Sequence, residues 1–331
     1  MLLEKTSLEQ SSLSDSSSEI LLKNEFGTIE LYSLSHDVSD STNGASIKAL
    51  RFVHHSGSGS ISLHGGQVLT WQPKDQQSVF WLSEASKYSN AHAIRGGIPI
   101  CWPWFGGEVK LANGHIKKTS NHGFARQNQW QLDNIDLSQT EVSITLSLTG
   151  EKLSNLWPAA FKLTQKLIFS DQFQQTLTMT NLSEYMVEYT GALHSYFCVS
   201  SPQQSNITTL ESVEFDDKLS DEHNQGKDNQ GTGSQLDTLN SCTGPIDRIY
   251  HSSSQQTITD HGWQREIVVT SENCSQWVMW NPGSAVASAM VDMHQHSEQE
   301  FVCLEAANTQ FKAIASQESV SIGQHVQIKN I

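Results

Sequence analysis

The 331-residue chain carries 20 Lys and Arg against 35 Asp and Glu, a formal charge of −15. That balance disfavours nucleic acid and anionic membrane as partners, because both are bound by a positive surface that displaces counterions, and no apolar run is long enough to span a bilayer. The length suits one large β domain or two ordinary ones, either able to bury a sizeable core.

The chain opens on "MLLEKTSLEQSSLSDSSSE", with Glu4 and Lys5 where a signal peptide would need an apolar stretch. A cytoplasmic location is therefore expected, with residues 1–20 a disordered or loosely attached segment rich in serine. Five cysteines follow, at 101, 198, 242, 274 and 303. They are odd in number, far apart and without a CxxC pair, which argues against a disulfide framework and a zinc site and leaves reduced, structural thiols as the expectation.

Next comes "AIRGGIPICWPWFGGE", residues 93–108. Glycine admits backbone angles closed to other residues and proline fixes its own φ, so this run cannot be a helix. It reads either as an irregular corner with a buried aromatic plug or as a pre-shaped pocket wall presenting Arg95. "NHGFARQNQW", 121–130, adds His122 and Arg126.

From there period-two alternation dominates. "VSITLSLTG" (142–150), "KLTQKLIFS" (162–170), "QQTLTMTNLS" (174–183) and, near the end, "SVSIGQHVQI" (319–328) place apolar residues at i, i+2 and i+4, as half-buried strands do. Sustained amphipathic helices are absent. The expected fold is all-β, a large antiparallel β-sandwich forming a single domain over residues 21–331.

"TGALHSYFCV" (190–199) sets His194 in an apolar strand-like run, where a lone histidine is either a satisfied core residue or a working acid or base. Ser195 beside it lacks the G-x-S-x-G elbow of a hydrolase nucleophile. "VEFDDKL" (213–219) offers Asp216 and Asp217, and residues 220–244 are almost wholly polar without periodicity, a surface excursion that reads as a solvated loop or a lid. In "VDMHQHSEQE" (291–300), Asp292, His294 and His296 would share a face if extended, but a third strong ligand is missing, so a polar turn competes with a metal site and no metal is expected. Finally, "FVCLEAAN" (301–308) ends an apolar run on Glu305. Glutamate is rarely buried unless paired or functional, and partial burial raises its pKa toward neutrality, where it becomes a usable base.

Taken in order over residues 55–330, "IRGGIPICWPWFG", "NHGFARQNQW", "HSYF", "DDKL", "WNPG" and "CLEAAN" resemble the hexose-6-phosphate mutarotase branch of the galactose-mutarotase-like superfamily. The resemblance implies a β-supersandwich whose concave face binds a phosphosugar, with His194 as general acid and Glu305 as general base. It further implies that Arg95, His122, Arg126 and Asp217 hold hydroxyls or phosphate. The chain departs from the family pattern at Ala306 and Ala307, where Pro-Gly is common, at Gly283, where an aromatic is common, and at Gln72, where a basic residue is frequent. The last departure makes Lys74 the nearer candidate for a phosphate contact.

Ring opening of a pyranose needs one group to take the C1 hydroxyl proton and another to protonate the ring oxygen, roles that interchange on closure. A histidine and a glutamate suffice, without metal or redox cofactor. The expectation is thus a monomeric, cofactor-free hexose-6-phosphate 1-epimerase, against an aldose 1-epimerase acting on free sugar or a non-catalytic carbohydrate-binding sandwich.

Overall fold

A computed structural model describes residues 18–35, 46–90, 92–111, 113–219, 231–234 and 241–331. Residues 1–17 of the expected loose N-terminal segment lie outside the described residues, and the chain is already strand from Glu19.

Alternation in sequence becomes alternation in burial. In Phe161–Phe169 the side chains of Phe161, Leu163, Gln165, Leu167 and Phe169 turn inward and the residues between them turn outward. Among the described residues three large antiparallel sheets result, beside the small pair Glu108–Lys110 and Ile116–Lys118. The first is a five-stranded meander, Glu19–Asn24, Gly27–Leu34, Ile47–His54, Gly57–Ser62 and Val68–Pro73. The second, with eight strands, runs Ser205–Asn206, Gln256–Asp260, Arg265–Glu272, Ser319–Asn330, Gln172–Asn181, Phe161–Phe169, Val142–Gly150 and Gln131–Leu137. The third runs Gly231–Ser234, Glu214–Asp217, Ile246–Tyr250, Gln276–Asn281, Phe301–Ile314, Val187–Leu193 and Ile100–Cys101, with Tyr196–Cys198 also pairing to Phe301–Ile314. One apolar core takes side chains from all three. The all-β expectation holds. Among the described residues no helix is long and apolar enough to cross a membrane, and all five thiols are free.

The polar stretch 220–244 is described only at residues 231–234 and 241–244. Gly231–Ser234 adds an edge strand to Glu214–Asp217, and Cys242 is fully buried, its amide bonded to the carbonyls of Pro202 and Ser205. Composition alone hid this anchor, since a single small thiol carries no periodicity.

Register decides which side chains of the third sheet face the core. Leu193 pairs with Ala306, Met279 with Leu304 and Phe215 with Tyr250, and all of these enter the core. Paired residues share a face, so Ala192, Tyr196, Ile249, Val278, Cys303 and Glu305 lie on the other face.

The Gly-rich corner closes one side of that face. Gly97 donates to the Trp81 carbonyl at 2.6 Å and Ile98 to the Val68 carbonyl at 2.8 Å. Gly97 has φ +61, and a Cβ there would collide with the Val68 carbonyl. Gly114 has φ +84 with open space around it, so it carries the backbone cost of a side chain without the collision. Gly97→Ala should therefore lower the melting temperature well beyond Gly114→Ala, a comparison that thermal unfolding of the two variants checks directly; equal losses would show that the corner relaxes around a methyl group.

Candidate active site

A cavity of about 340 Å³ opens on the outer face of the third sheet. Continuing the pairing of Leu193 with Ala306 by one residue sets His194 across from Glu305, with His194 Nδ1 3.4 Å from Glu305 Oε1. His194 stacks on Tyr196, two residues on along the same face, with ring centroids 4.8 Å apart and planes 7° from parallel, and meets His122 edge-to-face at 5.5 Å. Trp280, Met290, Val278 and Phe105 supply apolar wall.

Arg95 reaches the cavity from the corner and is held on every side. Its backbone amide donates to the Ser86 hydroxyl oxygen, Gln67 donates to the carbonyls of its neighbours Ile94 and Gly96, and its guanidinium binds Asp292 Oδ2 through Nε (3.1 Å) and Nη2 (3.0 Å) and Tyr196 through Nη1 (2.8 Å). Of five N–H donors these contacts use three, which leaves one on Nη1 and one on Nη2. The pocket-wall reading of the corner is the one the geometry favours.

Asp292, one of the three metal candidates, is therefore the partner of Arg95. His294 pairs with Glu300 at 3.0 Å, and His296 sits in a left-handed turn at φ 63. Among the described residues no group of three or more His, Cys, Asp or Glu could hold an ion.

His122 also has a left-handed backbone, φ 68. Its Nδ1 accepts from the Gly106 amide at 3.2 Å, which puts the ring proton on Nε2 as a donor. Arg126 follows in the short turn Ala125–Gln127, bonded through Nη2 to the Asn121 carbonyl at 3.0 Å. His122, Arg126, Arg95, His194 and Glu305 thus converge.

Two expected contacts are corrected. Asp217 pairs with Arg248 in register and through a 3.3 Å ion pair, which puts it on the face opposite Glu305. The next residue, Lys218, takes the cavity face instead, its amide bonded to the Asp247 carbonyl, and both Lys218 and Asp247 line the cavity. Lys74 follows the strand Val68–Pro73 and lines a separate groove with Asp171 and Lys329, because nearness in sequence to position 72 does not carry it to the cavity. Lys218 and Asp247 were missed, although Lys218 stood within the "DDKL" block, and Asp292 was singled out for a metal rather than as the partner of Arg95.

Burial governs the titrations. It holds His194 well below the ordinary histidine range, helped by the Arg126 and Arg95 charges, and pushes Glu305 well above the ordinary carboxylate range, with Asp247 adding to the rise and Lys218 and Arg126 opposing it. His122 is likewise held low by burial and then by Arg126. Among the described residues, His194 Nδ1, Glu305 Oε2 and Arg126 Nε are buried and hydrogen-bonded to no other residue.

A family model described as aldose 1-epimerase matches residues 48–329. A relative from Escherichia coli (strain K12), provisionally named a glucose-6-phosphate 1-epimerase, is 29% identical over 272 residues, covering 81% of this chain and 86% of its own. One from Haemophilus influenzae with the same provisional name is 31% identical over 233 residues, 70% of this chain and 74% of its own. Among crystal structures, one from Salmonella typhimurium provisionally called a mutarotase matches with TM-score 0.78 at 24% identity, covering 95% of this chain and 97% of that one. The structure of HI1317 matches with TM-score 0.70 at 27% identity, over 95% and 100%.

The raised Glu305 pKa has a stability consequence of definite sign. The folded state binds the proton more tightly than the unfolded state, so the contribution of Glu305 is full below about pH 4.3 and is lost as pH rises from there toward the folded value, at about 1.4 kcal/mol per tenfold difference in proton affinity. His194 acts oppositely, losing stability as pH falls below about 6.5, and is common to wild type and Glu305→Gln. Glu305→Gln should therefore melt higher than wild type at pH 7.5 by a wider margin than at pH 4.5. A margin independent of pH would contradict the raised value.

Proposed function

Since the chain belongs to the aldose 1-epimerase family, we propose that it interconverts the α and β anomers of a hexose 6-phosphate, with glucose 6-phosphate as the expected substrate. The observation that carries this reading is a set of three buried polar atoms, His194 Nδ1, Glu305 Oε2 and Arg126 Nε, which among the described residues have no hydrogen-bond partner and belong to residues lining one sugar-sized cavity. Buried polar atoms ordinarily find partners, and here hydroxyls and ring oxygen of a pyranose would supply them.

Glu305 takes the C1 hydroxyl proton while His194 protonates the ring oxygen. Ring opening then converts carboxylate and imidazolium into carboxylic acid and imidazole, C1 rotates, and closure runs the same transfers backwards on the other face. Both forms of the pair hold one proton, so a turnover exchanges none with solvent and a buried site is no obstacle. Burial favours the neutral form. The apolar wall of Trp280, Val278 and Phe105 packs the sugar, while His122 Nε2–H, Asp247 and the two open Arg95 donors hold hydroxyls.

Phosphate recognition falls to Arg126 and Lys218. Arg95 is already neutralised by Asp292, whereas among the described residues neither Arg126 nor Lys218 has a carboxylate partner in salt-bridge contact. A phosphate dianion beside Arg126 also offsets one of the charges that keep His194 neutral, which favours the imidazolium needed for opening.

Anomer exchange followed by NMR on glucose 6-phosphate and glucose tests the reading. Glu305→Gln and His194→Ala should each slow exchange about 10²–10⁴-fold with the fold retained. Arg126→Met and Lys218→Met should raise KM for glucose 6-phosphate far more than for glucose. If wild type turned over both sugars equally and these variants slowed both alike, the substrate would be a free aldose.

A further inference from the structure

Below His194 the core contains a row of polar side chains that the chemistry above does not use. Ser195 Oγ lies 3.0 Å from Gln324 Oε1, Gln324 Nε2 lies 2.8 Å from Gln175 Oε1, Gln175 Nε2 lies 2.6 Å from Gln165 Oε1, and Gln165 Nε2 lies 2.6 Å from the Gly66 carbonyl. All four side chains are at most 2% exposed. The three glutamines stand on adjacent strands of the second sheet, and Ser195 lies between two strands of the third, so the row crosses the sandwich.

Its direction is fixed by its far end. The Gly66 carbonyl can only accept, so Gln165 must present its amide NH₂ there and its oxygen to Gln175, and the same choice propagates through Gln324. The Ser195 hydroxyl is thereby committed as the donor that closes the row. Ser195 sits where the strand breaks between Val187–Leu193 and Tyr196–Cys198, its amide bonded to the Leu193 carbonyl two residues back. The far end touches the other half of the site: the Gly65 amide bonds to Asn128, and the Ala125–Gln127 turn carries Arg126.

Three primary amides in a core are costly unless every polar atom is satisfied, and apolar side chains would pack there without that demand. We propose that Gln324, oriented by Gln175 and Gln165, is a positioning residue for His194, acting through the Ser195 hydroxyl at the strand break. This rests on the assignment of His194 to proton transfer. Fixing the break from beneath sets the imidazole against Glu305 without a contact inside the cavity, where any partner would compete with substrate.

The test measures anomer exchange on glucose 6-phosphate, with thermal melts, for Gln324→Met, Ser195→Ala, their double variant and His194→Ala. Gln324→Met should lower kcat about 10- to 100-fold, the scale of a misplaced catalytic group, with KM within about twofold and a folded protein. Ser195→Ala, which deletes one oxygen, should do the same and carries the test alone if Gln324→Met does not fold. The double variant should be no slower than the worse single one, because both act through one hydrogen bond. Unchanged kcat in Ser195→Ala, KM rising as much as kcat falls, or losses that multiply in the double variant would each overturn the inference. Full activity in His194→Ala would instead remove the acid assignment, and the inference with it.

Discussion

The pairing of Leu193 with Ala306 in the third sheet is the constraint on which the site depends. It buries one face of the two strands in the core and leaves His194 and Glu305 as cross-strand neighbours on the other. A slip of one residue would exchange the faces, placing two ionisable groups in the core and Leu193 and Leu304 in the cavity. The same alternation carries outward through Val278 and Ile249 to Asp247 and Lys218, so the polar lining and the apolar core are two readings of one register.

That arrangement sets stability against chemistry. His194 and Glu305 are each destabilised as ions by burial, which favours the neutral form of both. Among the described residues, His194 Nδ1 and Glu305 Oε2 find no hydrogen bond to soften the penalty. An apolar core drawn from all three large sheets can carry that cost.

Much of this was legible in sequence. Alternation gave the strands because a half-buried strand must alternate, and the isolated polar residues in "ALHSYF" and "CLEAA" stood out because nothing else in those runs tolerates water. The rest depended on long-range contacts. Asp292 lies 197 residues from Arg95 and became its partner only when the chain folded. Asp217 and Lys218 differ by one position, and which of them faces the cavity follows from the pairing of Asp217 with Arg248, which "DDKL" does not encode. The glutamine row did leave a trace. Gln165 falls between Leu163 and Leu167, Gln175 two residues before Leu177, and Gln324 between Ile322 and Val326, each at an inward position where an apolar residue was due.

The charge distribution separates two tasks that a single arginine could not perform together. A guanidinium held by a carboxylate and a phenol is rigid but nearly neutral to a distant anion, so in the proposed reaction Arg95 serves directional bonds rather than long-range attraction. Cations without carboxylate partners attract a phosphate more strongly but are less firmly aimed, as with Lys218 above the Phe105 ring at 5.2 Å. In a chain of net charge −15, long-range attraction of a dianion is absent, and salt screens what field remains beyond about 8 Å. Affinity for phosphate must then arise within the cavity, where Arg126 also helps to set the protonation of His194. In the proposed reaction, anion binding and proton transfer are therefore coupled through Arg126.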